Sequence, residues 1–226
     1  MKRIIALLMT LSLMMGASAL AEDAGVIVQS SCSIGQSGEN YLAYCFAQVH
    51  NNTDNVLCLD EGTFELLSGN ETLAAEDVSK LWPQFVAPGE DGYLFDVVPF
   101  SEMPPVTGLE YHIQYLQINP AYAGVKMDVS SRVELDESSG MLSIVCEMSN
   151  PMDAEAFDPV IAIGLYTDAG QMVYADGRSL KGVGMAAQGK LLVRFEVEET
   201  LTQQWISYGA LPTQVRAYAM FRTGSD

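Results

Sequence analysis

Positive charge is scarce in this chain: 11 Lys and Arg stand against 29 Asp and Glu, a formal net charge of −18. So acidic a surface repels phosphate backbones and anionic lipid headgroups, which argues against nucleic acid as a partner. Histidine is scarcer still, with only His50 and His112. Nucleophilic Ser, Thr or Cys needs a base within reach, most often a histidine, so two isolated histidines offer acyl transfer little support. His50 precedes a polar turn and His112 alternates with Tyr111 and Ile113, which places both on the outside of strands. No G-x-S-x-G and no phosphate-cradling glycine loop occurs; Gly182-Val183-Gly184 lacks the strand and helix such a loop requires. Without a Cys-x-x-Cys or a second ligand near either histidine, no metal centre and no cofactor is expected.

A bilayer-spanning apolar run is missing too. The stretch Ile4 to Met15 falls short of the roughly 20 residues a spanning helix needs. With Lys2 and Arg3 before it and Ala19-Leu20-Ala21 behind, it reads as a secretory signal peptide, residues 1–21, cut after Ala21. Retention as an anchor is the rival reading. No cysteine sits at the cut for lipid attachment, and Leu211-Pro212-Thr213-Gln214 has no apolar tail behind it. Removing residues 1–21 from 226 leaves 205; it takes Lys2 and Arg3 from the 11 cations, and 9 against 29 gives −20. The expected protein is therefore secreted or extracytoplasmic, and free of stable membrane insertion once cut. Its length suits two domains of roughly 100 residues, each with its own core.

Four cysteines, Cys32, Cys45, Cys58 and Cys146, all follow the leader, where disulfides persist. If Ser31-Cys32-Ser33-Ile34 and Ala43-Tyr44-Cys45-Phe46 are antiparallel strands about a turn centred between Gly38 and Glu39, Cys32 falls opposite Cys45, near bridging distance. Cys45 with Cys58 is the alternative. Cys146 reads as a small buried residue.

The chain repeats itself. Tyr44 to Asp54 aligns with Ser143 to Asp153 at an offset of 99, and Phe64 and Leu66 fall on Ile163 and Leu165 at the same offset. Ala87 to Val97 meets Ala187 to Val197 at an offset of 100. Both copies alternate with period two: Leu142, Ile144, Cys146 and Met148 make one face and Ser143, Val145 and Glu147 the other. Turn residues separate the runs, and no stretch carries a convincing helical stripe; Leu73 to Leu81 and Glu198 to Trp205 are each expected to form a turn or two. The pattern predicts an all-β chain of two tandem antiparallel sandwiches, residues 22–122 and 123–226, joined across Leu116 to Asp128.

Phe64-Glu65-Leu66-Leu67-Ser68 and Ile163-Gly164-Leu165-Tyr166-Thr167, with Asn51-Asn52-Thr53-Asp54 before the first and Pro88-Gly89-Glu90 after it, resemble the F-x-L-Y-D signature of the FxLYD family of bacterial extracytoplasmic domains. Leu67 stands for the family's Tyr, Ser68 for its Asp, Ile163 for its Phe, and the second copy has Gln188-Gly189-Lys190 for Pro-Gly-Glu. The resemblance implies immunoglobulin-like sandwiches in exported proteins and implies no catalytic residues.

Two tryptophans are the remaining functional signal. Trp82 lies in a Pro-containing connection and Trp205 in a late loop, positions where an aromatic can stack on a sugar, anchor a protein contact, or cover the end of a sandwich. Asp60-Glu61, Glu90-Asp91, Asp136-Glu137 and Glu198-Glu199 are placed at turns or strand ends as solvated charges. The expected function is non-enzymatic binding or scaffolding outside the membrane, with a cell-envelope or extracellular protein or glycan as partner. The alternatives are a hydrolase with loop-borne carboxylates and a spacer holding calcium through Asp54, Asp60 and Glu61.

Overall fold

The computed structural model describes residues 25–122, 124–136 and 138–221; the expected signal peptide, residues 1–21, lies outside them. The first half contains β1 (Gly25–Ser37), β2 (Asn40–Asn51), β3 (Val56–Ser68), β4 (Glu71–Asp77), β5 (Leu81–Trp82), β6 (Asp91–Phe100) and β7 (Gly108–Ile118). A 3-10 turn at Pro120–Tyr122 leads into β8 (Val125–Asp136), β9 (Met141–Ser149), β10 (Ala156–Phe157), β11 (Val160–Tyr166), β12 (Met172–Ser179), β13 (Gly184–Met185) and β14 (Lys190–Glu196). The helix α1 (Glu199–Tyr208) and β15 (Gln214–Phe221) complete the chain. This is an all-β sandwich fold, as the period-two pattern predicts.

Four sheets result. The first runs β1-β2-β6-β5 and the second β4-β3-β7. Between them lie Cys32, Ile34, Ala43, Cys45, Phe64 and Leu66, all buried. The third runs β12-β11-β15-β8 and the fourth β8-β9-β14. The strand β8 serves both, pairing with β15 over Val125–Met127 and with β9 over Asp128–Asp136. Ile163, Leu165, Ile144 and Phe195 fill the space between these two sheets at full burial. Each buried Leu, Ile or Phe of this kind contributes about 1.5–3 kcal/mol relative to leaving it exposed.

Local chemistry sets the registers. The β1–β2 hairpin turns on Gly38 and Glu39, and the positive φ of Gly38 (62°) sits at its first central position, as a type II′ turn requires. That turn aligns Cys32 with Cys45 across the pair. After β2 and after β9 the chain bends around a buried asparagine. Asn51 donates from Nδ2 to the carbonyls of Asn55 (2.7 Å) and Val86 (2.9 Å), while its Oδ1 accepts from the Thr53 amide (2.9 Å). Asn150 donates to the carbonyls of Ala154 (2.8 Å), Met185 (3.3 Å) and Ala186 (3.0 Å), and its Oδ1 accepts from the Met152 amide (3.0 Å). Both side chains are thus hydrogen-bonded through nitrogen and oxygen, and each ties its corner to the strand or turn that follows.

Two local expectations need correction. Residues 73–77 are strand, not helix, because Glu71–Asp77 pairs along β3 through the Gly69-Asn70 turn, and that ladder outweighs a weak helical preference. Asp60-Glu61 lies not at a turn but inside β3, where a bulge between Leu59 and Glu61 interrupts its pairing with β7. The second helical expectation matches α1, which ends on Gly209 with φ 62°.

The two sandwiches stack face to face, so the sheets form four layers. Tyr44, Phe46, Gln48 and Tyr93 point away from the first core, yet each is at most 3% exposed. They are covered by the third sheet. Two glycines admit the large side chains: a Cβ on Gly164 would lie 2.5 Å from Tyr93 Cε1, and one on Gly177 would lie 2.2 Å from Trp82 Cγ. The phenol of Tyr166 donates to Gln48 Oε1 (2.9 Å) and meets the Tyr93 hydroxyl at 3.2 Å. Gln29 clasps the edge strand β12, with Nε2 donating to the Gly170 carbonyl (3.2 Å) and Oε1 accepting from the Met172 amide (2.9 Å).

Candidate functional site

The stacked halves meet unevenly, and at one end of the junction they leave a cleft of about 630 Å3. Its walls come from both halves: Phe85 follows β5, Met152, Phe157 and Val160 belong to the stretch from the Asn150 corner into β11, and Met220 ends β15. That volume falls within the range of small-molecule sites, which favour domain junctions. Phe157 is the conspicuous member, at 56% exposed. Covering it would contribute on the order of 1–2 kcal/mol.

The mouth is held in shape by backbone pairing. Ala156 and Phe157 pair with Met185 and Gly184. Asp158 adopts φ 51°, unusual for a residue with a side chain, and is held there by three contacts. Its carboxylate accepts from the Gly182 amide (2.5 Å), its own amide donates to the Val183 carbonyl (3.0 Å), and Leu180 donates to the neighbouring Pro159 carbonyl (2.9 Å). A side chain at Gly184 would collide with Glu155 Oε1 at 2.7 Å and crowd Phe157 at 3.2 Å, so the glycine lets both lie across the mouth. Glu155, Asp158 and Lys181 add two acidic groups and one basic group to the lining. The arrangement can hold an apolar group with polar ends.

Beside the cleft, the interface is polar and tightly bonded. Asp91 accepts from Tyr218 at 3.1 Å through Oδ2 and meets His50 Nδ1 at 2.8 Å through Oδ1, and Lys126 pairs with Glu90. Burial first, then neighbouring phenols and carboxylates, pushes the Tyr93 hydroxyl far above the usual phenol range, and Tyr218 follows for the same first cause. For Tyr166 burial also raises the value, opposed by the Tyr93 hydrogen bond and by Arg216, whose guanidinium lies 4.4 Å from its ring centre. These hydroxyls bridge the two halves as hydrogen-bonding groups.

Of the residues singled out in the sequence, Trp82 is half-buried, wedged on Gly177 between the halves, with Lys80 Nζ 5.6 Å from its ring centre. It borders the cleft through Pro83, Gln84 and Phe85 without presenting an open face. Trp205 is not a loop aromatic: it lies on α1 at 4% exposed, because Leu201 and Trp205, four residues apart, turn one helical face into the second core. Cys32 and Cys45 stand opposite each other with their thiols unjoined. Cys58 lies between Leu57 and Leu59, both packed on the first core, so it faces the other side of β3, away from Cys45. Cys146 is buried and burial pushes its thiol up to about 11.

His112 is exposed on β7 and lines a depression of about 570 Å3 with Glu61, Thr63 and Asp77. Among the described residues no group of three His, Cys, Asp or Glu is placed to hold a metal ion, and Asp54, Asp60 and Glu61 form no such group. The cleft itself escaped the sequence. Its one readable sign was Phe157, an aromatic in the polar run Asn150 to Asp158.

No helix of the described residues is long and apolar enough to cross a membrane. No protein-family model and no curated protein matched the chain. Among solved structures it was aligned with the crystal structure of Momordica charantia 7S globulin at 7% identity, covering 90% of this chain and 77% of that one with a TM-score of 0.14, a likeness too slight to bear on fold or function.

Proposed function

We propose that the chain is an exported bacterial binding protein, without catalytic chemistry of its own, that holds an apolar group in the cleft between its two sandwiches. The observation that carries this is Phe157, 56% exposed at the mouth of a 630 Å3 cleft and kept there by a hydrogen-bonded frame. The leader read at residues 1–21, the acidic surface and the resemblance to FxLYD domains support a location outside the membrane. The same reading takes the two sandwiches as immunoglobulin-like copies of one unit, supported by the equivalent roles of Asn51 and Asn150. An apolar cleft suits a protein side chain or a small lipophilic molecule better than a glycan.

The test is a titration of the full chain with 1-anilinonaphthalene-8-sulfonate, followed by fluorescence and by protein-observed NMR. Saturable binding with shifts confined to the cleft, lost in Phe157→Ser at unchanged melting temperature, supports the reading. Equal dye binding by Phe157→Ser would sink it. A second reading, hydrolysis, is favoured by the shared depression that brings His112 beside Glu61 and Asp77. Turnover of a glycan, peptide or ester that disappears in Glu61→Gln or Asp77→Asn would establish it and overturn the first.

A further inference from the structure

A row of three reactive side chains crosses the first sheet. Cys32 on β1 stands opposite Cys45 on β2, and Cys45 stands opposite Asp96 on β6. Directly opposed residues project to the same face, here the face turned to the second sheet, because both cysteines belong to that core. Access is graded along the row. The sheet begins at β1, where Cys32 is 8% exposed; Cys45 on the interior strand is 0% exposed, and Asp96 beyond it 9%.

The polar atoms around the row are under-satisfied. Asp96 Oδ1 accepts from the Ser79 amide at 3.1 Å, but Oδ2 has no hydrogen-bond partner, nor has the hydroxyl of Tyr111, which neighbours the row from β7. An unpaired buried polar atom costs about 1–3 kcal/mol, and packing does not explain why a carboxyl should be kept beside two thiols. Burial raises Asp96 above its ordinary value; the hydrogen bond that the Cys45 thiol gives to Cys32, and then burial, raise the Cys45 thiol.

We propose that Cys32 and Cys45 are an exchange site for low-mass disulfides, with Cys32 the entry sulfur, Cys45 the resolving sulfur, and Asp96 the acceptor of the Cys45 proton. In the first step the Cys32 thiolate attacks one sulfur of a small disulfide RSSR. A Cys32–S–S–R bond forms, the RS–SR bond breaks, and the released RS⁻ takes up the proton Cys32 gave to solvent. In the second, the Cys45 proton passes to the Asp96 carboxylate as its sulfur attacks Cys32. The Cys32–Cys45 bond forms, the bond to R breaks, and the second RS⁻ leaves with the proton Asp96 held. The chain loses two hydrogens and one disulfide becomes two thiols. Low access at Cys32 excludes protein disulfides as co-substrates. The inference is independent of the cleft.

The test uses the full reduced chain and oxidised glutathione, read by intact mass and peptide mapping under native conditions. Wild type is expected to form the Cys32–Cys45 disulfide, Cys45→Ser to accumulate one glutathione adduct on Cys32, and Cys32→Ser to gain none on Cys45. Asp96→Asn should form the first adduct at the wild-type rate but resolve it at least tenfold more slowly, with the acid limb of the resolution pH profile gone. Should Cys45→Ser not fold, quenched-flow mapping of the first adduct in wild type answers the same question. Glutathione appearing first on Cys45, no disulfide in folded wild type, or an unchanged pH profile in Asp96→Asn would each overturn the proposal.

Discussion

Substituting Gly177 by alanine should loosen the whole molecule, because the third sheet meets the first there with no room for a methyl group. The added Cβ would lie 2.2 Å from Cγ, 2.4 Å from Cδ2 and 2.5 Å from Cβ of Trp82. Ordinary carbon contact is near 3.5 Å, so Trp82 would have to retreat by roughly 1.3 Å. Overpacking of this kind costs about 1–3 kcal/mol, and a displaced Trp82 also loses contact with the third sheet, so the expected loss is about 2–3 kcal/mol. For a chain of this size that lowers the melting temperature by about 4–12 °C.

Urea unfolding followed by circular dichroism measures it, and a double-mutant cycle with Trp82→Ala isolates the cause. In the Trp82→Ala background the methyl group meets a space, and Gly177→Ala should then cost less than about 0.5 kcal/mol, since alanine loses less backbone entropy than glycine. A coupling energy near 2 kcal/mol is expected. A coupling within about 0.5 kcal/mol of zero would refute the stacked arrangement, because the two residues would then not touch across it.

Three further outcomes follow from particular side chains. Asn51→Ala and Asn150→Ala each remove several partly or fully buried hydrogen bonds, so each should cost about 1–3 kcal/mol in urea unfolding, and similar losses would mark the two corners as equivalent. Asp96 has its folded pKa raised above 3.8 by burial, so the stability it contributes is full below that value and is lost as pH rises through the folded pKa; Asp96→Asn, which keeps an acceptor for the Ser79 amide, should gain on wild type as pH rises from about 4, and a constant difference across that range would contradict it. Asp136 is held at about 2 by the Ser138 hydroxyl first and the Ser139 hydroxyl next, so carbon-detected NMR titration of Ser138→Ala should find its carboxyl moved back toward the ordinary value.

Strand alternation and the β1–β2 register were legible because both are local. Period two fixes which side chains share a face, and a two-residue turn on Gly38 fixes the partner of Cys32. The stacking was not legible. Alternation places Tyr44, Phe46 and Gln48 opposite Ala43, Cys45 and Ala47, but it cannot say whether the second face meets water or another sheet. The signal that existed was complementarity of size: aromatic Tyr93 and Trp82 in one half, and Gly164 and Gly177 at strand positions of the other, where a glycine marks close approach. Trp205 misled because a short amphipathic helix between strands leaves only the spacing of Leu201 and Trp205 to betray it. The cleft was invisible for a different reason: Phe85, in a bend, and Phe157, on the short strand β10, reach it from places far apart in the chain.

The stacking also explains how an open apolar cleft can persist. A groove between two domains on a free linker closes or opens with their relative motion, and exposed apolar walls favour collapse. Here Gln29 on β12, Tyr166 on Gln48, Tyr218 on Asp91 and Lys126 on Glu90 tie the halves at several points. Trp82 and Tyr93 seated over glycines leave little freedom to slide. The walls are therefore fixed before any ligand arrives, and a ligand that covers Phe157 meets little ordering cost of the protein. Loosening the junction should weaken binding even where the cleft residues are untouched. Gly164→Ala, whose Cβ would strike Tyr93 at 2.5 Å and the Tyr166 hydroxyl at 2.9 Å, is the substitution that separates a preformed site from one that ligand shapes: a preformed site loses affinity for the dye in proportion to the lost stability, whereas a site moulded by its ligand keeps it.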